Sequence, residues 1–184
     1  MEASYPQLVI PLLLLSGRRM WEVLNQKSIF EPVQGFAYAA WFTGQLKGKG
    51  GSARPSYIIP LLCPYETFEY AFNVLREKQS LEPPVEDELV ASHRWSANLS
   101  NALNRSKHAV PRPFQKMHVH QMRHLYMAYV YHYFTCEGSL AFTAMSCLGH
   151  QNYFGETHNY TDIKLQDCER EGLFGTLPSV FSEE

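Results

Sequence analysis

Apolar residues recur every three or four positions along several segments of this chain, a spacing that is typical of helices with one buried face. In residues 7–27 the spacing is interrupted by SGRRM, so we predict a helical region that is broken at Gly17. The same spacing predicts helices over residues 64–79, 86–105, 119–134 and 139–149, the last of which ends at Gly149. The chain is therefore expected to be mainly helical.

Two stretches in the first third of the chain are rich in aromatic and β-branched residues instead. QGFAYAAWFTGQLKG predicts a strand, KGGSARPS a turn, and YIIPLL the strand that pairs with the first. The two prolines of SKHAVPRPFQKMH predict a loop between helices. The expected fold class is α+β, mainly helical, with one small antiparallel sheet.

Length and composition fit one compact domain. The chain has 184 residues, 45% hydrophobic and 18% charged, and we expect residues 1–184 to form a single domain with a C-terminal tail at 170–184. The apolar run LVIPLLLL contains a proline and is much shorter than the roughly 20 residues of a membrane-spanning helix, so we interpret it as a buried helix. Four scattered cysteines without a CxxC pair favour reduced thiols and a cytoplasmic location.

The charge of the chain is unevenly distributed. A net charge of −2 and a pI of about 6.4 argue against a general nucleic-acid binder. Between Ser92 and His124, however, there is no Asp or Glu, and the basic residues of this stretch are Arg94, Arg105, Lys107, Arg112, Lys116 and Arg123. This local excess of positive charge is compatible with an anionic partner.

Two short motifs place cations close together. HVHQMRHLY has His120 three residues before Arg123, so both lie on one helical face and can address one anion. In SGRRMWEV, Arg19 and Glu22 have the same spacing and follow a glycine that permits a sharp turn. Either motif alone is also compatible with an ordinary solvated helix end.

Two further segments contain candidate side chains. The glycine-rich hairpin turn carries Lys47 and Lys49, which could swing onto a substrate or could simply protect a sheet edge. LGHQNYFGETHNYTDI, residues 148–163, contains His150 and Tyr160 in a mixture of residue types that does not resemble a buried helix face. Metal binding, base stacking and covalent catalysis are all compatible with this segment.

Taken in order, these motifs resemble the catalytic domain of the tyrosine recombinases. SGRRMWEV is similar to that family's first-arginine motif, HQMR to its His-x-x-Arg box, LGH to its second histidine motif, and HNYTDI to its nucleophile helix. The doubled arginine and the strand FTGQLK are more similar to the telomere resolvases, or protelomerases, than to ordinary integrases. The candidate catalytic residues in chain order are Arg19, Lys47, His120, Arg123, His150 and Tyr160.

The resemblance spans about residues 8–165 and implies DNA strand cleavage and rejoining through a 3′-phosphotyrosyl intermediate. The expected product is a pair of covalently closed hairpin ends. Arg19 and Arg123 would stabilise charge on the non-bridging phosphate oxygens. The implied partner is double-stranded DNA, bound by a dimer in the cytoplasm of a bacterial host, with no metal, ATP or other cofactor.

The remaining candidates would handle protons and orient the phosphate. A tyrosine hydroxyl has a pKa of about 10, so Tyr160 needs a base and nearby cations to act as a nucleophile. His120 is placed to accept its proton and His150 to bond the phosphate. Lys47 would protonate the leaving 5′-oxygen.

Several alternatives stay open at the level of sequence. Lys49 is an alternative to Lys47, and Tyr153 to Tyr160, because the ten positions from His150 to Tyr160 are one more than the family pattern leads us to expect. The product could also be that of an ordinary recombinase or integrase. A DNA-binding module with a decayed site is a further possibility, although all six catalytic positions hold competent residues.

A metal centre and the role of the tail are also undecided by sequence. The histidines of HVHQMRH, which are His118, His120 and His124, could bind zinc, but no carboxylate or thiolate lies near them in the sequence. The tail EGLFGTLPSVFSEE keeps several apolar residues, which predicts docking either on its own chain or on a second protomer.

Overall fold

The computed structural model describes residues 3–45, 55–80, 88–105, 116–134, 140–149 and 174. These ranges contain six helices and three strands. In chain order the elements are α1 (Tyr5–Ser16), α2 (Met20–Leu24), β1 (Ile29–Val33), β2 (Phe36–Thr43), β3 (Tyr57–Pro60), α3 (Tyr65–Ser80), α4 (Glu88–Arg105), α5 (Met122–Tyr133) and α6 (Leu140–Leu148). A 3₁₀ turn, Val119–Gln121, precedes α5. The predicted α+β, mainly helical class is confirmed.

The first helical region is interrupted where the sequence indicated. A capping box opens α1: Ser4 and Gln7 satisfy each other's exposed groups, with the Ser4 amide donating to the Gln7 side chain at 2.8 Å. The helix ends at Ser16, and Gly17 follows with a left-handed φ of 63°. The run LVIPLLLL lies inside α1 and supplies the buried Leu12 and Leu13, so the prediction of a buried helix is confirmed.

The sheet has the order β1-β2-β3, with antiparallel pairing throughout. Pairing of β2 with β3 confirms the predicted hairpin, although the described part of its first strand is shorter than residues 34–48. Strand β1 was not predicted. Its IFEPV sequence contains Pro32, which cannot donate to a ladder but is tolerated in an edge strand.

Two apolar clusters bring distant parts of the chain together. In the first, Phe30 lies 4.8 to 4.9 Å from the rings of Phe42, Phe68 and Phe72, which packs the sheet against α3. The second joins α5 to α6 through buried residues including Tyr126, Met127, Val130, Ala144, Cys147 and Leu148. As a result, α6 lies beside α5, which α1 also contacts.

One residue of the predicted tail is described and contacts its own chain. Phe174 stacks on Tyr38 with ring centroids 4.5 Å apart, and its amide donates to the Tyr133 carbonyl at 2.9 Å. The rest of the tail lies outside the described residues. Across the described ranges, no helix has both the length and the apolar character needed to cross a membrane.

Candidate active site

The turn after α1 separates the two arginines of SGRR. A Cβ atom at Gly17 would lie 2.2 Å from the Tyr126 ring, so only glycine lets α5 pack this closely against the turn. Beyond the turn Arg18 is 2% exposed, whereas the Arg19 side chain is 29% exposed. The two neighbouring guanidinium groups therefore have different surroundings and different tasks.

Arg18 connects three elements below the surface. Its Nε donates to the Ser16 carbonyl at 3.1 Å, and its terminal nitrogens donate to the Tyr57 hydroxyl and the Cys147 carbonyl. The guanidinium also lies 5.1 Å from the centre of the Phe42 ring, a cation–π distance. Arg18 thus joins the end of α1 to the sheet and to α6.

Glu22 lies between Arg19 and Arg123. It accepts hydrogen bonds from the Arg19 amide at 2.8 Å and from Arg19 Nη1 at 3.1 Å, and its Oε2 is 3.7 Å from Arg123 Nη1. Burial alone would raise the pKa of Glu22, but the charges of Arg18, Arg123 and Arg19 outweigh burial and lower it. The carboxylate is therefore ionised, and it holds the two arginines predicted to contact phosphate.

Arg123 is buried in the first turn of α5, with 2% of its surface exposed. Its Nη1 donates to the Gly17 carbonyl at 2.8 Å and its Nη2 to the Leu148 carbonyl at 3.0 Å. Both acceptors are backbone groups at helix ends, where carbonyls lack a partner within the helix. The planar fork of Arg123 is thus fixed in orientation by α1 and α6.

His120 lies in the 3₁₀ turn that leads into α5. Partial burial of its ring, followed by the positive charges of Arg123, His124 and Arg19, lowers the pKa of His120 below its ordinary value. The imidazole is therefore neutral at neutral pH. A neutral imidazole beside two arginines can accept a proton from a substrate or a nucleophile.

A cleft of about 190 Å³ brings these groups together. Its walls come from the turn after α1, from α2, from α4, and from the 3₁₀ turn and the start of α5. The lining residues are Arg18, Arg19, Met20, Trp21, Ser96, Val119, His120 and Arg123. Three predicted site residues, Arg19, His120 and Arg123, therefore share one cleft, whose cations and neutral base suit an anionic substrate.

Two cleft features were not predicted. Ser96 lines the cleft from α4, and nothing in the spacing of SHRWSANLS indicates that it would do so. The pairing of Glu22 with Arg19 follows from their spacing, but the contact of Glu22 with Arg123 is long-range and leaves no local signal.

The other predicted site residues lie outside the described residues. These are Lys47, His150 and Tyr160, together with the alternatives Lys49 and Tyr153. The described residues nearest to them in the sequence are Gln45, two positions before Lys47, and Gly149, which immediately precedes His150. The Gln45 side-chain nitrogen donates to the Gly149 carbonyl at 2.6 Å, which joins these two points.

The histidines of HVHQMRH do not form a metal site in the described part of the chain. His120 and His124 have ring centroids 6.0 Å apart in an edge-to-face arrangement. Among the described residues, no three His, Cys, Asp or Glu side chains are grouped so that they could hold a metal ion. The geometry of His118, His120 and His124 thus gives no support to the zinc alternative.

Comparison with known families identifies the domain. The model described as the telomere resolvase ResT/TelK catalytic domain matches residues 1–162. The match covers most of the chain, and the chain belongs to the telomere resolvase ResT/TelK catalytic domain family. A comparison with curated protein sequences found no match.

Solved structures of protelomerases share this fold. A protelomerase TelA covalently complexed with substrate DNA matches with a TM-score of 0.70 and 25% identity, over 86% of this chain and 52% of that one. A TelA mutant complexed with DNA hairpin product matches with a TM-score of 0.72 and 24% identity, over the same shares of both chains. Protelomerase TelK complexed with substrate DNA has a TM-score of 0.66 and 21% identity, over 90% of this chain and 33% of that one. The chain thus spans about half the length of TelA and a third of TelK.

Proposed function

We propose that this chain cleaves and rejoins DNA strands through a 3′-phosphotyrosyl intermediate and resolves telomeres into covalently closed hairpin ends. The observation that carries the proposal is that Arg19 lines one cleft together with His120 and Arg123, which lie about 100 residues further along the chain. Membership of the telomere resolvase catalytic-domain family supports the same activity. The similar TelA mutant was solved in complex with DNA hairpin product, which supports hairpin formation over strand exchange.

Arg19 and Arg123 stabilise the charge that develops on the scissile phosphate. A phosphodiester is an anion that resists nucleophilic attack, so cations at its non-bridging oxygens lower the barrier. Burial of Arg123 and its fixed backbone partners keep its guanidinium oriented before substrate arrives. Such preorganisation removes part of the cost of reorganising polar groups during the reaction.

The covalent step exchanges one phosphate ester for another. The Tyr160 hydroxyl loses its proton to His120, its oxygen attacks phosphorus, and the bond from phosphorus to the 5′-oxygen breaks. Lys47 donates the proton that the leaving 5′-oxygen requires, and His150 donates a hydrogen bond to the phosphate. In the second step the 5′-hydroxyl of the opposite strand gives its proton to the now neutral Lys47 and attacks the 3′-phosphotyrosine. The bond from phosphorus to the tyrosine oxygen breaks, His120 returns a proton to Tyr160, and the new 3′–5′ ester closes a hairpin.

The energy of the broken ester is retained in the protein–DNA bond, so rejoining needs no ATP. Side chains supply the cations, so the proposed chemistry uses no metal or nucleotide cofactor. Two hairpin ends require two strand cleavages and each chain has one nucleophile, so we propose that a dimer acts on double-stranded DNA. The proposed location is the cytoplasm of a bacterial host.

Covalent selection from random sequence tests this function and finds the target in the same experiment. The chain is incubated, with EDTA and without ATP, with a pool of nicked duplexes in which random inverted repeats flank the nick. DNA that stays bound in denaturant is recovered and sequenced, and an intact duplex of the selected sequence is then tested for product. Closed hairpins that resist exonuclease and are absent with Tyr160→Phe support the proposal.

An ordinary tyrosine recombinase, the second candidate, uses the same cleavage step but joins each cut strand to a different duplex. Exchanged duplexes in place of hairpins would therefore favour it. Recovery of no tyrosine-dependent adduct would reject the proposed function for this chain.

A further inference from the structure

The C-terminal end of α6 is held by three side chains from other elements. The carbonyl of Cys147 accepts a hydrogen bond from Arg18, that of Leu148 from Arg123, and that of Gly149 from Gln45. Carbonyls at the end of a helix have no partner within the helix and require one from elsewhere. Here each of three consecutive carbonyls has its own donor.

Two of these donors, Arg18 and Arg123, already line the cleft. The third, Gln45, has no part in the chemistry proposed above. It follows β2 and lies two residues before Lys47 in the sequence. Its bond to Gly149 therefore ties the chain that leads into Lys47 to the same helix end that Arg123 contacts.

The contact at Gly149 is closely fitted. A Cβ atom there would lie 2.5 to 2.6 Å from the Gln45 amide atoms and 2.7 Å from the Tyr57 hydroxyl. The space that glycine leaves is thus occupied by the donor itself and by a partner of Arg18. The Gln45–Gly149 bond belongs to the same polar cluster as the cleft arginines.

A general acid at the end of a long flexible side chain is effective only if the backbone that carries it is held in place. The lysine side chain has four rotatable bonds, and small displacements of a catalytic group reduce reaction rates strongly. We propose that Gln45 is a positioning residue for Lys47, which fixes the end of β2 relative to Arg123 through the Gly149 carbonyl. This inference rests on the proposed function, in which Lys47 is the general acid.

The test compares two leaving groups. In one duplex the scissile phosphate has its ordinary 5′-bridging oxygen, and in the other that oxygen is replaced by sulfur. A thiolate leaves without a proton because its pKa is far lower than that of an alcohol. Both duplexes have the sequence recovered by covalent selection, and the initial rate of adduct formation is measured with the full chain.

The informative variant is Gln45→Met, which removes the donor and keeps most of the side-chain volume. Thr43→Ala is the matched control, because its Oγ1 bonds the Ser56 Oγ at 2.7 Å across the same hairpin and does not reach α6. Gln45→Met is expected to slow adduct formation about 10- to 100-fold on the oxygen duplex and to approach the parent rate on the sulfur duplex. Thr43→Ala should match the parent on both, and Lys47→Ala should be rescued by sulfur.

Other outcomes overturn the inference in distinguishable ways. An equal loss on both duplexes would mean that Gln45 supports the site as a whole, and no loss on the oxygen duplex would mean that its bond is dispensable. Either result, with an active parent, rejects the inference alone. If the parent forms no adduct with either duplex, the proposed function fails, and the positioning role fails with it.

Discussion

Arg123 donates a hydrogen bond of 2.8 Å to the carbonyl of Gly17, although 106 residues separate the two in the chain. This bond joins SGRR to HQMR, two motifs for which the sequence gives only the order. It also aligns Arg123 with the turn that presents Arg19. The cleft therefore depends on contact between the end of α1 and the start of α5.

Replacement of Arg19 and of Arg123 should have different consequences for stability. Each replacement by alanine should slow DNA cleavage by about 10²- to 10³-fold, by analogy with removal of one oxyanion donor. Arg19 is partly exposed, so Arg19→Ala should change the free energy of unfolding little. Arg123→Ala should lower it clearly, because it removes a positive charge beside the buried Glu22 and the hydrogen-bond donors of two helix-end carbonyls. Adduct kinetics and urea unfolding measure the two effects, and equal destabilisation by both variants would contradict the assigned environments.

Glu22→Gln should destabilise the protein by about 3–5 kcal/mol at pH 7, because it removes a buried negative charge between arginines. The folded-state pKa of Glu22 lies below its ordinary value. Its ionised form therefore contributes stability in full above the unfolded pKa of about 4.3 and loses it as pH falls through the folded pKa. Urea unfolding of parent and variant at several pH values measures the difference, which should shrink in acid. A difference that grows in acid would show that the pKa is raised instead.

Gly17→Ala should be costly for two reasons. A left-handed φ costs an alanine about 1–2 kcal/mol, and its Cβ would overlap the Tyr126 ring at a further cost of about 1–3 kcal/mol. Gly35→Ala is the control, because Gly35 also has a positive φ but no atom within 4 Å of the added Cβ. Denaturant unfolding should therefore separate the two variants, and an equal loss would exclude close packing at Gly17 as a cause.

The pKa of His120 should respond to its positive neighbours. NMR titration of the histidine ring is expected to give a value below 6.5 in the parent and a higher value in His124→Gln, which removes one of the groups that lower it. A neutral His120 is needed as the proton acceptor, so the cleavage rate should fall as pH decreases through this pKa. A parent value above 6.5 would be inconsistent with the partly buried, positively charged surroundings of the ring.

We propose that the C-terminal tail docks on its own chain through Phe174, which contacts Tyr38 and Tyr133. Deletion of residues 171–184 should then lower the free energy of unfolding by an amount that does not depend on protein concentration. If the tail is exchanged within a dimer, the parent's stability should rise with concentration and light scattering should detect loss of the dimer on deletion.

Local patterns predicted much of the fold and part of the site. Helical spacing predicted α1, α3, α4, α5 and α6, and Gly17 and Gly149 predicted where α1 and α6 end, since both signals depend on nearby positions in the chain. The edge strand β1 was missed because Pro32 weakens a strand pattern that tertiary pairing tolerates.

The cleft depends on longer-range contacts. The i, i+3 spacing predicted that His120 and Arg123 lie close together, and both line the cleft, His120 from the 3₁₀ turn and Arg123 from α5. No pattern could show that Arg18 is buried whereas Arg19 is partly exposed, since the burial of Arg18 depends on Tyr57 and Cys147 from distant elements.

The proposed mechanism requires that a tyrosine becomes covalently attached to DNA at a phosphate held in the cleft that Arg19, His120 and Arg123 line. The most direct test is to form the adduct in EDTA without ATP, digest the DNA and protein, and locate the residual nucleotide by fragmentation mass spectrometry. We predict a nucleotide on Tyr160 in the parent and none in Arg123→Ala over the same reaction time. A nucleotide on Tyr153 or on a non-tyrosine residue, or an adduct that forms only when a divalent metal is added, would contradict this claim.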